Sequence, residues 1–389
     1  MQKETLVAIS GCSPDEHQGV VNTPVYRAST VLFSSYEELE RVQKGDFATS
    51  PYGRFGTRTS EELEKSLAKI EGADRAIVTA SGLSAIWIAM SAFLAAGDHI
   101  LVVDSVYGPV RTLCDREFRR FGIQTTYYDP ALAAGIEALI QPNTKVVYVE
   151  SPGSLTFEMQ DIPAIAEVAH ARGIVVLSDS TWATPLYSHS FAIGVDVSIH
   201  SGTKYIGGHS DLMLGVITCK DPHSERLLTS FRDTGACASA DTCYLAQRGL
   251  HTMAVRLKQH DESSRAIAAW LQRRPDVDTV LHPALPGSPG HEIWKRDLGG
   301  GGGLFSFVLK KQCSRESLSR MLDHMSLFGM GYSWGGFESL IIPFDPRPIR
   351  QASRWPYEGQ AFRVHVGLEQ TDDLIEDLDH ALQRLHAAS

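Results

Sequence analysis

The 389-residue sequence predicts an α/β protein. A large, mostly parallel sheet covered by helices on both faces is followed by a smaller C-terminal α/β domain. Three observations carry this expectation. Five short runs rich in Val and Ile fall between residues 75 and 201, segments of helical period separate them, and polar residues end them. The runs are RAIVTAS (75–81), HILVVDS (99–105), KVVYVES (145–151), GIVVLSDST (173–181) and DVSIHS (196–201). Each is apolar on consecutive residues, as a strand buried on both faces must be. In DIPAIAEVAHARG (161–173), Ile162, Ile165, Ala166 and Ala169 share one helical face, Asp161 is a cap and Gly173 a stop. That rhythm builds parallel sheets, which bind ligands beyond the carboxyl ends of their strands.

Three stretches are expected along the chain: an N-terminal segment, 1–55, without a core of its own and suited to packing on a neighbouring subunit; a large domain, 56–250; and a C-terminal domain, 251–389. The five-glycine run Gly299–Gly303 reads as a flexible loop before a strand in LFSFVLKK (304–311).

The composition excludes several functions. A net charge of −10 argues against a nucleic-acid surface, which needs clustered Lys and Arg. No apolar run is long enough to span a bilayer, and MQKETLVAISGC lacks the layout of a secretion signal, so the cytoplasm is expected. The six cysteines are scattered without a CxxC pair and the fifteen histidines form no HExxH, so neither a disulfide framework nor a metal site is read.

The chemistry concentrates in SIHSGTKYIGGHSD (198–211), where Lys204 stands between an apolar run and a glycine pair. Ser81-Gly82, Asp104, Asp179 and Ser201 through Lys204 end four different strands, so folding gathers them at one edge. A lysine amine, a buried aspartate and a phosphate cradle are the parts that pyridoxal phosphate requires. SGLSAIWIAM (81–90) offers the cradle: Ser81, Gly82 and Leu83 form a strand-to-helix turn, where backbone N–H groups and the helix dipole favour an anion. Ser201 and Thr203 add hydroxyls, and Tyr107 follows a strand end where it can stack on a ring.

The chain resembles the Cys/Met-metabolism family of pyridoxal-phosphate enzymes, in the aminotransferase-like fold type I. The resemblance rests on YGRFGT (52–57), the Ser-Gly turn at 81–82, ESPGS (150–154), Asp-Ser-Thr-Trp (179–182), SGTKYIGGHSD (201–211), HPALPGSPGHE (282–292), SWGGFESL (333–340) and FRVHVGLE (362–369), in the family's order along the whole chain. It implies that Lys204 bonds the cofactor and that Asp179 faces its ring nitrogen. Gly82 and Leu83 donate to its phosphate with Ser81, Ser201 and Thr203, Tyr107 stacks on the ring, and Ser154 lies near the ring oxygen. Tyr52 and Arg54 reach the site of a neighbouring subunit, which implies a homo-oligomer, usually a tetramer built as a dimer of dimers. Arg363 grips the α-carboxylate of an amino-acid substrate, beside Ser333 and Trp334.

The implied activity is carbon–sulfur cleavage. Lys204 removes the Cα proton, with its pKa lowered toward roughly 7–8 by burial, and Lys204 or Tyr107 protonates the leaving sulfur. SWGG at 333–336 and Gly56-Thr57-Arg58, where γ-acting relatives commonly carry SLGG and Asn-Pro, favour the branch that splits L-cystathionine by β-elimination into homocysteine, pyruvate and ammonia during methionine biosynthesis. γ-Elimination or γ-synthesis, a broader cysteine-S-conjugate lyase, alanine racemisation and a silent cofactor-binding paralogue are the alternatives. Gly202, Ser154 and Ser180 depart from the family's usual residues.

Overall fold

A computed structural model describes residues 1–46 and 50–386. The larger sheet has seven strands: β1 (Arg75–Thr79), β2 (His99–Val103), β3 (Gln124–Tyr128), β4 (Thr144–Glu150), β5 (Val175–Asp179), β6 (Val197–Ser201) and β7 (Gly215–Cys219). Their order is β1-β7-β6-β5-β4-β2-β3. β2 through β6 run parallel, whereas β7 is antiparallel to both β1 and β6. The five apolar runs become β1, β2, β4, β5 and β6, and their central residues, such as Leu101, Val102, Val147 and Val176, are wholly buried. Helices on both faces explain that burial. One of them, Ile162–His170, carries Ile165, Ala166 and Ala169 inward, and Asp161 caps it by accepting from the Ala164 N–H at 3.4 Å.

Two strands escape the apolar-run pattern. β3 opens on Gln124-Thr125-Thr126 and lies at the sheet edge, where one partner and partial exposure tolerate polar residues. β7 starts at Gly215, where a Cβ would stand 2.1 Å from the Ser81 carbonyl oxygen. This glycine marks a close backbone approach, with β7 passing directly behind the Ser81 turn.

The smaller sheet comprises β8 (Val277–Leu281), β9 (Leu304–Leu309), β10 (Leu340–Phe344) and β11 (Ala361–His365) in the order β10-β11-β9-β8, antiparallel throughout. Helices Met253–Gln272 and Thr371–His386 cover it over a core containing Phe305, Phe307 and Phe362, two of whose rings stack 5.1 Å apart.

One expectation needs correction, and another gains detail. Gly299–Gly303 is no slack loop. Cβ atoms at Gly300, Gly301 and Gly302 would lie 2.8 Å from the Tyr187 ring, 2.3 Å from an Asp261 carboxylate oxygen and 2.6 Å from the Tyr205 hydroxyl. Close packing is what demands glycine there. The N-terminal segment also has a foothold on its own chain: helix Lys3–Ile9 buries Val7 against Leu63, Leu67 and Leu250, and the Lys3 amine donates to the carbonyls of Pro185 and Ser188. Further along, the segment leaves apolar side chains uncovered, with Leu32 88% exposed.

Candidate active site

The carboxyl ends of β4, β5 and β6, the start of helix Gly82–Ser91 and residues of β9 and β11 enclose one cavity of about 510 Å³. Twelve of the fourteen residues expected at the site line it: Ser81, Gly82, Leu83, Tyr107, Ser154, Asp179, Ser201, Thr203, Lys204, Ser333, Trp334 and Arg363. Tyr52 and Arg54 do not. Tyr52 is 45% exposed, and Arg54 turns its guanidinium over the Phe55 ring and donates to the Arg232 carbonyl.

Lys204 reaches into the cavity from the turn after β6. Its Nζ donates to Ser333 Oγ at 2.5 Å and stands 5.5 Å from the centre of the Trp334 ring. Burial, aided by the nearby Arg363 cation, pushes its pKa down to about 8. About a quarter of the molecules therefore carry a free amine at pH 7.5, against roughly one in a thousand for an ordinary lysine.

Asp179 ends β5, partly buried in the cavity wall. Its carboxylate accepts from the Thr181 N–H at 3.0 Å and the Thr181 hydroxyl at 2.5 Å, and no cation forms an ion pair with it among the described residues. Burial raises its pKa. Beside it in the parallel register lies Glu150, at the end of β4. Glu150 accepts from the Tyr107 N–H at 2.8 Å, and burial together with Asp179 lifts its carboxyl well above the usual range.

Arg363 rises from β11, largely buried. Its Nη2 donates to the carbonyls of Gly331 and Ser333 at 3.2 and 3.0 Å, its Nε has no partner, and burial lowers its pKa to about 10. Opposite, helix Gly82–Ser91 is capped by Ser81, whose hydroxyl accepts from the Ser84 N–H at 3.2 Å. The first-turn N–H groups of Gly82 and Leu83 have no partner within their helix. A Cβ at Gly82 would lie 2.8 Å from the Ser201 hydroxyl, so the turn closes tightly on β6. Thr203 is steadied where β7 approaches, its Oγ1 accepting from the Leu214 N–H at 3.0 Å, and Ser154 is held by its own N–H bond to the Ser105 carbonyl at 2.8 Å.

These features fit pyridoxal phosphate. Asp179 is a buried carboxylate lacking a cation, which a protonated ring nitrogen supplies. The capped turn presents two free N–H groups to a phosphate. A partly neutral lysine stands between them.

Glu150 and Thr181 were given no role on sequence grounds. The signals were present: Glu150 closes its apolar run one strand away from Asp179, and Asp-x-Thr is a side-chain-to-backbone turn pattern. Ser180, one of the unusual residues, turns its hydroxyl away from the cavity toward Ser178 and Ser190.

The chain matches the sequence profile described as Cys/Met metabolism PLP-dependent enzyme over residues 4–383. It is 47% identical to the putative cystathionine beta-lyase of Rhizobium johnstonii over 95% of this chain and 93% of that protein. It is 41% identical to the cystathionine beta-lyase MetC of Escherichia coli strain K12 over 98% of both. The crystal structure of metB from Corynebacterium glutamicum superposes with a TM-score of 0.90 at 31% identity, covering 99% of each chain. On this similarity, which runs nearly end to end, the chain belongs to the Cys/Met metabolism family of PLP-dependent enzymes, and pyridoxal phosphate is its cofactor.

Proposed function

We propose that this enzyme splits L-cystathionine by β-elimination, giving homocysteine, pyruvate and ammonia with consumption of one water. The convergence of Lys204, Asp179 and Arg363 on one cavity carries the reading. The relatives at 41% and 47% identity, named as cystathionine beta-lyases over nearly their full length, support this substrate and outcome.

Gly82, Leu83, Ser201 and Thr203 would hold the cofactor's phosphate, Tyr107 would cover its ring and Ser154 would face its oxygen. Bound there, pyridoxal phosphate supplies an aldehyde that bonds amines and a ring that takes up the electron pair left at Cα. Asp179 keeps the ring nitrogen protonated. Arg363 binds the substrate's α-carboxylate, with its unpartnered Nε completing a two-pronged grip. That grip turns Cα toward Nζ of Lys204. The neutral amine takes the Cα proton, the Cβ–S bond breaks, and Nζ returns the proton to the departing sulfur. Ser333 Oγ accepts from Nζ at 2.5 Å and orients the amine between these two transfers. Tyr107, whose hydroxyl burial keeps protonated, is the second donor within the cavity.

Tyr52 and Arg54 complete the cavity of a neighbouring subunit in a cytoplasmic homotetramer, a dimer of dimers. The exposed apolar side chains of Leu32 and Tyr36 in the same segment support this contact. Product analysis with L-cystathionine tests the reaction, with alanine racemisation assayed alongside. Pyruvate and homocysteine in equal amounts are expected; 2-oxobutyrate with cysteine overturns β-elimination.

A further inference from the structure

Behind Lys204 lies a buried group of rings that the reaction above leaves unused. Tyr205 packs its ring 5.4 Å from Trp334, 5.3 Å from His260 and 6.0 Å from His365, and the two histidine rings are 5.3 Å apart. His260 comes from helix Met253–Gln272. His365 ends β11 two residues after Arg363, on the same strand face. Both histidines are fully buried.

Both rings are held by backbone groups. His365 Nε2 lies 3.1 Å from the Gly335 nitrogen and 3.2 Å from the Gly336 carbonyl oxygen, so it holds the loop either by accepting from the Gly335 N–H or by donating to the Gly336 carbonyl. His260 Nδ1 donates to the Val366 carbonyl at 2.8 Å, leaving a lone pair on Nε2. His365 Nδ1 and His260 Nε2 are both buried without a partner. Burial keeps both neutral, holding His260 down to about 4 and His365 well below its ordinary range, with His260, Arg363 and Lys204 adding to the latter.

The Gly335 bond matters because of what its loop touches. A Cβ at Gly335, whose φ is +86°, would stand 2.9 Å from the carbonyl carbon of Lys204, so the loop lies on the lysine's own backbone. Ser333 is held at φ +78°, a left-handed conformation strained for a residue with a side chain. In that conformation its hydroxyl meets Lys204 Nζ and its carbonyl meets Arg363 Nη2. One short loop thus braces both groups that handle substrate, and His365 fastens it from behind.

We propose that His365 is a positioning residue: by holding the backbone of Gly335 and Gly336 it fixes loop 331–336 and so sets the placement of Lys204 and Arg363 for the reaction. The proposal rests on the roles given above to those two residues. His365→Gln keeps an acceptor near the place of Nε2, and His365→Leu removes it. Both are assayed on the holoenzyme with L-cystathionine, beside the parent and Lys204→Ala. Expected for the Leu variant are unchanged cofactor content, a kcat lowered roughly 10–100-fold, as for a catalytic group displaced by a fraction of an ångström to an ångström, and a smaller rise in KM; Gln restores most of the kcat. A Leu variant within about twofold of the parent, or a Gln variant no better than Leu, overturns the proposal. Should the Leu variant not fold, His365→Asn, too short to reach Gly335, takes its place with the same expected loss. Turnover surviving in Lys204→Ala would instead overturn the role of the lysine.

Discussion

Two carboxylates, the buried Glu71 and the partly buried Asp179 that lines the cavity, lie on opposite sides of the same sheet in different electrostatic states. Glu71, at the end of helix Arg58–Glu71, faces His200 Nε2 at 2.9 and 3.0 Å and accepts from the hydroxyls of Ser198 at 2.7 Å and Thr218 at 2.6 Å. Burial pushes its carboxyl up, yet these partners prevail and hold it below the usual range. Asp179 accepts from the N–H and hydroxyl of Thr181; these bonds and the charges of His200 and Lys204 favour its ionised form, yet burial wins. In the parallel register Asp179 pairs with Ile199, so Ser198 and His200 point to the other face. One strand separates a carboxylate that is saturated from one that lacks a cation. The first braces the fold; the second is prepared for a ligand that brings the cation.

The largest expected effect separates the two directly. Asp179→Asn should lower kcat on the order of 10²–10³-fold, the scale for losing one preorganised electrostatic group. It should leave the apoprotein as stable as the parent, because folding raises the pKa of this carboxyl and its charge disfavours the fold at neutral pH. Glu71→Gln should do the reverse, costing about 1–3 kcal/mol in urea unfolding while kcat changes little. The Glu71 contribution exists above the carboxylate's ordinary pKa of about 4.3 and is lost as pH falls through its lower folded value. An Asp179→Asn protein that unfolds, or a stable but inactive Glu71→Gln protein, breaks the comparison.

A smaller effect comes from histidines buried neutral. His282 is pushed down to about 3 and His260 to about 4, in both cases chiefly by burial. Below about pH 6.5 the unfolded chain binds protons that the folded one refuses, so stability falls by up to about 1.4 kcal/mol per pH unit for each ring. Denaturation curves measured as a function of pH should show this loss beginning above the window where Glu71 fails, and His282→Gln should flatten it. The smallest effect is in activity: kcat should rise about threefold between about pH 7.5 and 8.5 as Lys204 loses its proton near 8. A tenfold rise would mark an ordinary lysine.

Much of this was legible before the fold was seen. Consecutive apolar residues exposed β2, β4 and β5, because strands covered on both faces need no polar alternation. The residues ending those runs fell at one edge by topology alone. β3 stayed hidden because an edge strand bears polar residues, and of the smaller sheet only β9 was read, in LFSFVLKK, while β8, β10 and β11 left no comparable pattern. The glycine run was misread because flexibility and close packing call for the same residue; only the Tyr187 ring and the Asp261 carboxylate distinguish them. Glu150 and His365 were passed over since their meaning lies in neighbours far along the chain, Tyr107 and Asp179 for one, Gly335 and His260 for the other. The hydroxyls of Ser81 and Thr203 prove to be engaged in capping and in pairing with Leu214, which spacing alone does not reveal.

The central claim is that the amine of Lys204 bonds the cofactor in the cavity beneath Asp179. Borohydride reduction of the holoprotein, followed by digestion and mass mapping, tests it most directly. The account predicts the added mass of the cofactor on the peptide containing Lys204 and on no other lysine. An unlabelled Lys204, or a label carried elsewhere, would contradict it.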